Sequence, residues 1–353
     1  MTKEKIISYE EVQANPMLQW FFDTEIKHSI KDKYYKEWQE FIHKEGINVV
    51  CITADPKGKN ILELDPLFAP YGRPAMLYQL FSDDWSYDYE FFEFILQFVK
   101  DQTWLNFLLA CNAHWCNDKL DLEHTKKIIK LLVDKGANIN ACFYQGKEGW
   151  YEPIIFATRP LGSATKIERA NKLELLHFLL ELGADPNLKN SEGENLLHDF
   201  LLSEEQKFAN ALIDSGKIKD INEIIEYDKG AIYYGESALI LAVRECYSNT
   251  VKKLIEAGAN VNVFNHFGDS ALDLIGNKSE TIKKYLLKAG AKSSLGLLGS
   301  EEKLEEFENE MRKKREIQDK IKKEREKQLK ENYLAILEKT PLVFHRNIEV
   351  IKA

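Results

Sequence analysis

The sequence predicts an all-α protein organised as a helical solenoid, with a small N-terminal cap of mixed structure and a long charged helix near the C-terminus. Three observations support this fold class. One phrase that ends an amphipathic helix recurs five times. The copies are separated by roughly the length of one structural repeat. In addition, 21 of the 30 residues between positions 301 and 330 are charged, which is typical of a solvent-exposed helix.

Each copy of the phrase joins a leucine-rich stretch to a glycine. The clearest copies occupy residues 131–140, 178–187 and 254–262, and weaker copies occupy 212–216 and 286–291. Their glycines are Gly136, Gly183, Gly216, Gly258 and Gly290, separated by 47, 33, 42 and 32 residues. The two long intervals predict insertions, which we place near 146–151 or 159–169 and near 217–234.

The residues of the phrase explain how a helix ends and the next begins. The leucines bury one helix face, and a glycine without Cβ then adopts the left-handed conformation that ends the helix sharply. Asn195, Ser237 and Ser270 each precede an apolar run, where a side-chain oxygen can cap the new helix. Each repeat is therefore predicted to contain a hairpin followed by two helices.

The phrase and its period resemble those of the ankyrin-repeat family over roughly residues 74–292. The family's Thr-Pro-Leu-His signature is largely replaced, at 152–157, 195–198, 237–242 and 270–273. Only His198 stands where the family's histidine would. The resemblance implies that His198 forms hydrogen bonds within and between repeats, in preference to a catalytic dyad with Asp199. It also implies about six helix pairs, two of them divergent.

Four segments are predicted along the chain. Residues 1–72 form the cap, with a helix at 34–43 and strands at 48–53 and 60–64 around a turn at 55–58. Residues 73–292 form the solenoid, whose first pairs join 75–81 with 91–99 and 105–110 with 128–132. Residues 293–332 form the charged helix, and residues 333–353 form a C-terminal tail.

The charge distribution indicates the kind of partner. The formal net charge of the 353 residues is −9, and residues 301–330 contribute +1 from 11 basic and 10 acidic side chains, so the remainder carries −10. This acidic remainder disfavours nucleic acid and favours a protein with a basic surface. Without an apolar membrane span, a secretion signal or the cysteine spacing of a disulfide framework, we expect a soluble cytoplasmic protein.

The charged segment is predicted to form a helix because oppositely charged residues recur at i and i+4, as in Glu310 and Lys314. It carries a thin apolar seam, too irregular to establish a coiled coil, at Leu304, Phe307, Met311, Ile317 and Ile321. Two interpretations stay open. The helix is either solvated on all sides or packed along the last repeat or a partner.

Signatures of catalysis are absent: the sequence has no Walker loop, nucleophile elbow, zinc-protease motif or dinucleotide fingerprint. Cys111, His114, Cys116 and His124 lie within 14 residues, but their spacing does not suit a zinc finger. We therefore favour packing at a helix end and predict neither metal nor cofactor. Acidic and aromatic residues alternate over 83–93, forming either a surface that recognises cations or a solvated edge on a buried aromatic stripe.

The resemblance implies that the hairpins and first helices line a concave face that binds proteins. Aromatic side chains are enriched in binding hot spots. We therefore assign partner contact to the aromatic residues at the predicted hairpin tips: Phe143, Tyr144, Trp150, Tyr151, Tyr233, Tyr234, Phe264, His266 and Phe267.

The resulting hypothesis is a non-catalytic protein-interaction module that recognises a basic partner. It predicts no small-molecule substrate, no nucleic acid and no membrane as partner. Narrower alternatives are a bacterial immunity protein that neutralises a toxin, and a secreted effector or scaffold. A further alternative is an enzyme with its site in residues 1–72.

Overall fold

The computed structural model describes residues 5–22, 29–45, 49–52, 89–99, 102–114, 122–145, 150–160, 162–190, 192–225, 233 and 235–339. Most of these residues are helical, which confirms the predicted all-α class. The chain divides into two compact units. The first comprises Met1–Gly149, Pro160–Phe178 and Lys330–Ala353, and the second comprises Trp150–Arg159 and Leu179–Leu329.

The first unit begins with a small mixed region. Strands β1 (Lys5–Ser8) and β2 (Val49–Ile52) pair in parallel, and the accompanying helices are α1 (Tyr9–Ala14), α2 (Pro16–Phe22), α3 (Tyr35–Glu45) and α4 (Tyr89–Leu96). Helix α3 confirms the helix predicted at 34–43, and β2 confirms the strand predicted at 48–53. The strand predicted at 60–64, the turn at 55–58 and the helix at 75–81 lie outside the described residues.

Aromatic rings fill the core beside α4. Trp38 and Phe91 are fully buried and stack with their ring centroids 4.8 Å apart. Phe92 is also fully buried, whereas Glu90 and Glu93 are exposed. Within residues 89–93, the alternating segment is therefore an acidic edge on a buried aromatic stripe, while residues 83–88 lie outside the described part of the chain.

The first unit also contains the predicted pair of helices around residues 105–110 and 128–132, as α5 (Gln102–His114) and α6 (Leu122–Asp134). This unit also contains β3 (Cys142–Gln145) and most of α7 (Lys166–Glu181), whereas β4 (Trp150–Pro153) and a 3-10 helix (Ile154–Thr158) belong to the second unit. Lys172 of α7 is buried, and its ammonium donates to the backbone carbonyls of Ala113 at 3.1 Å and His114 at 2.7 Å. A cation at this position satisfies carbonyls at the end of α5.

Paired helices stack in the second unit. The pairs are α8 (Leu196–Leu202) with α9 (Gln206–Asp214), α10 (Ala238–Arg244) with α11 (Ser248–Glu256), and α12 (Ala271–Ile275) with α13 (Glu280–Lys288). Helix α10 contacts both α8 and α12, and α11 contacts both α9 and α13. This stacking confirms the predicted helical solenoid. The unit continues through the short helix α14 (Ser294–Leu298) into residues 301–329 of α15 (Glu301–Lys339).

Helix ends in the repeats follow the sequence prediction. All five glycines of the repeated phrase have positive φ, between +65° and +103°. At Gly258, the helix closes with bonds from Gly258 N to the carbonyl of Ile255 and from Ala259 N to the carbonyl of Leu254. The predicted caps are also confirmed, because Asn195, Ser237 and Ser270 each accept a bond from the backbone N–H three residues later.

A ladder of asparagine side chains joins the turns of successive repeats in the second unit. Asn187 accepts from the backbone N–H of Lys219 at 2.9 Å, Asn222 accepts from that of Asn260 at 2.6 Å, and Asn262 accepts from that of Lys292 at 2.9 Å. Because each rung satisfies backbone groups of the next turn, the ladder fixes the spacing of the repeats.

Candidate protein-interaction surface

Two hairpin tips of the second unit are built on the same hydrogen-bond skeleton. We call residues 190 and 192–194 tip one and residues 265–269 tip two; Ser191 lies outside the described residues. In tip two, the side-chain oxygen of Asn265 accepts from the backbone N–H groups of Phe267 at 2.8 Å and Asp269 at 2.9 Å. Its amide nitrogen donates to the Asp269 carboxylate at 3.1 Å. A buried asparagine thus holds the loop in shape from within.

Tip one repeats these bonds with different residues. Asn190 accepts from the N–H groups of Glu192 at 2.9 Å and Glu194 at 3.1 Å, and donates to the Glu194 carboxylate at 3.0 Å. Each tip closes through a glycine of positive φ, Gly193 at 79° and Gly268 at 101°. The described residues of the two loops therefore share a hydrogen-bond pattern and differ in their side chains.

Tip two stands on a buried cluster of ionisable residues. His266 Nδ1 lies 3.0 Å from Glu236 Oε1, and both side chains are buried. Arg244 bonds the same Glu236 oxygen, and its guanidinium carbon lies 5.2 Å from the ring centroid of Tyr233. Because a buried carboxylate requires paired charges and hydrogen bonds, this cluster fixes His266 beneath the tip.

Helix α15 packs against the outside of tip two. The rings of Phe264 and Phe307 lie 4.7 Å apart between centroids. The guanidinium of Arg315 lies 4.8 Å from the centre of the Phe267 ring and donates to the carbonyl of His266 at 2.9 Å. A Cβ on Gly268 would meet Phe307 and Glu308 at 3.4–3.7 Å. The glycine therefore lets the helix approach the loop closely as well as closing the turn.

One face of α15 makes this contact. Leu304, Phe307, Met311 and Arg315 are partly buried and lie three or four residues apart, so they share a helix face. Ile317 and Ile321, the remaining members of the predicted seam, are 55% and 51% exposed. Of the two interpretations left open by the sequence, packing holds for the first part of this helix.

Comparison with known proteins agrees with this architecture. A sequence model described as ankyrin repeats in three copies matches residues 163–265. This chain contains ankyrin repeats in residues 163–265. It is similar to an ankyrin repeat protein of Acanthamoeba polyphaga mimivirus, with 26% identity over 159 residues. That alignment covers 44% of this chain and 23% of the relative, so it spans about a quarter of the relative's length. Ankyrin repeats generally mediate protein–protein interaction and are typically non-catalytic.

The predicted contact residues fall in several places along the chain. Phe143 and Tyr144 lie in β3, and Trp150 and Tyr151 lie in β4. Tyr233 is partly buried against Arg244, and Tyr234 lies outside the described residues.

Phe264, next to tip two, is partly buried by Phe307, whereas Phe267 within the tip is 53% exposed. The side chain of His266 is buried and turns inward to Glu236, so its ring does not lie at the surface of the tip. Its backbone carbonyl is the group that reaches outward, to Arg315. The sequence had singled out neither Arg315 nor Glu236.

The family histidine has the structural role that the resemblance implied. His198 Nε2 lies 3.1 Å from the backbone carbonyl of Glu223, which can only accept, so the proton resides on Nε2. Burial lowers the pKa of His198 from 6.5 to about 4, and the bond to Glu223 offsets this only in part. Asp199 is bonded instead to Arg159, which also reaches Glu152 at 3.2 Å. These bonds differ from those of a histidine–aspartate dyad.

The cysteines and histidines considered for zinc are distributed over α5, α6 and the residues between them. His114 is exposed at the end of α5, His124 is partly buried in α6, and Cys116 lies outside the described residues. Among the described residues, no three potential ligands lie close enough to hold a metal ion. Within the same part of the chain, no helix combines the length and apolar composition that crossing a bilayer requires.

Proposed function

We propose that this chain is a non-catalytic interaction module whose hairpin tips bind basic side chains of a protein partner. The observation that carries the proposal is the seat of Arg315 on tip two. An aromatic ring and a backbone carbonyl hold one guanidinium there, at 4.8 Å and 2.9 Å. A guanidinium is attracted both to the face of an aromatic ring and to a carbonyl oxygen. The same pair of groups suits an arginine presented by another protein.

The charge of the tips supports a basic partner. Glu192 and Glu194 lie in tip one and Asp269 lies in tip two, and neither tip contains lysine or arginine. Glu192 is only partly buried. Carboxylates that line a binding surface steer a basic protein towards it and repel an acidic one.

A non-catalytic role is supported by the way the buried ionisable groups are used. His198 bonds a backbone carbonyl, Asp199 bonds Arg159, and Glu236 bonds Arg244 and His266. Each of these bonds links or supports neighbouring repeats. The groups are committed to structure, whereas a general acid or base must reach a substrate.

The narrower hypotheses are special cases of this proposal. A basic toxin as the partner would favour the immunity protein, and a basic protein of another cell would favour the effector. An assembly of several cellular proteins would favour the scaffold. Identification of the bound protein separates the three.

Affinity capture tests the proposed surface. The tip variant combines Phe267→Ala with Glu192→Lys, and the matched control combines Leu287→Ala with Glu256→Lys, which are exposed residues of α13 and α11. We expect the wild type and the control to recover the same basic protein, and the tip variant to recover about tenfold less. Equal recovery by both variants, with unchanged melting temperatures, would contradict the proposal.

A further inference from the structure

Tip two is already occupied by a segment of its own chain. Phe307 lies on Phe264, and Arg315 lies on Phe267 and bonds the His266 carbonyl. The aromatic and polar groups proposed above to contact a partner are thus engaged by α15. A foreign protein that binds this surface must first displace the helix or bind around it.

The contact between α15 and tip two is small. Among the side chains of α15 that the structure describes, Leu304, Phe307, Met311 and Arg315 form the partly buried face, and Asn309 is also partly buried; the helix extends over 39 residues. Phe267 remains 53% exposed beneath Arg315. A contact with so little buried apolar surface stabilises docking only modestly, because the free energy follows the apolar area removed from water. Because a short stretch of chain connects α15 to the repeats, its effective concentration at tip two is in the millimolar range. This offsets the weakness of the contact.

The seated helix also indicates what the surface recognises. Phe307 and Arg315 are eight positions apart and share one face, with Met311 between them. Phe307 packs on Phe264, and Arg315 contacts the Phe267 ring and the His266 carbonyl. Around Arg315 the helix is strongly basic, with a charge of +6 over residues 312–330 from ten basic and four acidic residues. This charge complements a body that is acidic overall.

We propose that α15 is a displaceable internal ligand of tip two, and that the partner replaces it with a basic amphipathic helix. That helix presents an aromatic residue and an arginine about two turns apart on one face. This inference rests on the proposed function and adds the class of the partner. It also means that the resting chain binds more weakly than the uncovered surface, because the competent state is only a fraction of the population.

A labelled peptide of residues 301–329 tests the inference on the full chain. The release variant is Phe307→Ala with Arg315→Ala, and the control is Ile317→Ala with Lys313→Ala, two exposed positions on the same helix. Fluorescence anisotropy should show the peptide binding the release variant about tenfold or more tightly than the wild type or the control. A peptide with the same composition, but with the phenylalanine and arginine on opposite faces, should not bind.

A second pair of substitutions locates the binding. Adding Phe264→Ala and Phe267→Ala to the release variant should abolish peptide binding. Equal affinity for wild type, control and release variant would overturn the inference, as would binding that survives the loss of both rings.

Hydrogen exchange tests the docking of α15 with a single substitution, so it does not require the release variant to fold. Arg315→Ala alone changes a partly exposed side chain. Amide hydrogens of residues 301–311 should exchange faster in this variant than in Lys313→Ala, because undocking exposes the helix to fraying. Identical exchange would show that Arg315 does not hold the helix.

These assays also separate this inference from the proposed function. Capture of the partner can depend on Phe267 and Glu192 while the peptide fails to bind, in which case the surface is correct and α15 is not its ligand. If instead the peptide binds while capture does not depend on Phe267 and Glu192, α15 remains an internal ligand. The proposal that the tips bind a basic partner is then contradicted.

Discussion

Tip one and tip two show how one loop architecture can be given two surfaces. Asn190 and Asn265 make the same set of bonds inside the two loops, and both loops close at a glycine of positive φ. The skeleton does not depend on the two residues between the asparagine and the glycine. In tip two those residues are His266 and Phe267, which support α15. In tip one they are polar, with Glu192 partly buried.

The helices that follow the tips extend the comparison. Three residues after the cap, α8 carries His198 and α12 carries Asp273. His198 bonds forward to the Glu223 carbonyl of the next hairpin, and Asp273 accepts from the backbone N–H of Ser294 at 2.7 Å. Both side chains connect a repeat to the segment after it, but one does so as a neutral ring and the other as a carboxylate.

Acidification should therefore affect the two connections in different pH ranges, and this gives the largest expected effect. The folded-state pKa of His198 is lowered from 6.5 to about 4, so its contribution is complete above pH 6.5 and is lost as the pH falls towards 4. From this shift we expect a loss of about 3 kcal/mol of unfolding free energy near pH 4. Urea unfolding at several pH values measures it.

The control is His198→Gln, which keeps an N–H donor but does not titrate. Between pH 6.5 and 4 the wild type should lose stability relative to this variant, and parallel profiles would contradict the assignment. The contribution of Asp273 to the unfolding free energy should change only at lower pH. Burial tends to raise its pKa, but bonds from Ser294 and Ser270 outweigh burial and lower it below 3.8. Its contribution is therefore present above that value and is lost below it.

Removing the shared asparagine tests whether the two skeletons are equivalent. Asn190→Ala and Asn265→Ala each delete three hydrogen bonds and leave backbone N–H groups without their internal acceptor. We expect each to lower the unfolding free energy by about 2 kcal/mol. Only Asn265→Ala should also release α15, detected as faster amide exchange in residues 301–311. Release by both variants would show that the docking of α15 does not depend on tip two specifically.

Much of the fold could be predicted from local signals. The left-handed glycines and the cap residues act over a few residues, so the repeated phrase was sufficient to predict them. The asparagine rung at Asn222 was missed because the helix end before it, at Gly216, is a weak copy of the phrase. The turns between paired helices were also hidden, since Glu204 and Cys246 adopt the positive φ usually associated with glycine.

The candidate surface was predictable only in part because it depends on distant residues. The recurring Asn-x-x-Gly-acid pattern at 190–194 and 265–269 was visible in the sequence and could have identified the common tips. The burial of His266 could not be predicted, because its partner Glu236 belongs to the preceding hairpin. The seam on α15 predicted an amphipathic helix without indicating which surface it would contact.

Replacing the tip glycines gives the smallest expected difference and the most direct comparison. Gly193→Ala and Gly268→Ala both place a Cβ at positive φ, and each should cost about 1–2 kcal/mol from backbone sterics. In tip two the new methyl group would also touch Phe307 and Glu308 at 3.4–3.7 Å. Because these distances allow contact without severe overlap, the unfolding free energies of the two variants should be similar. Amide exchange in α15 should increase only for Gly268→Ala. A much larger loss of stability for Gly268→Ala would mean that α15 is held rigidly against the tip, which would contradict its role as a displaceable ligand.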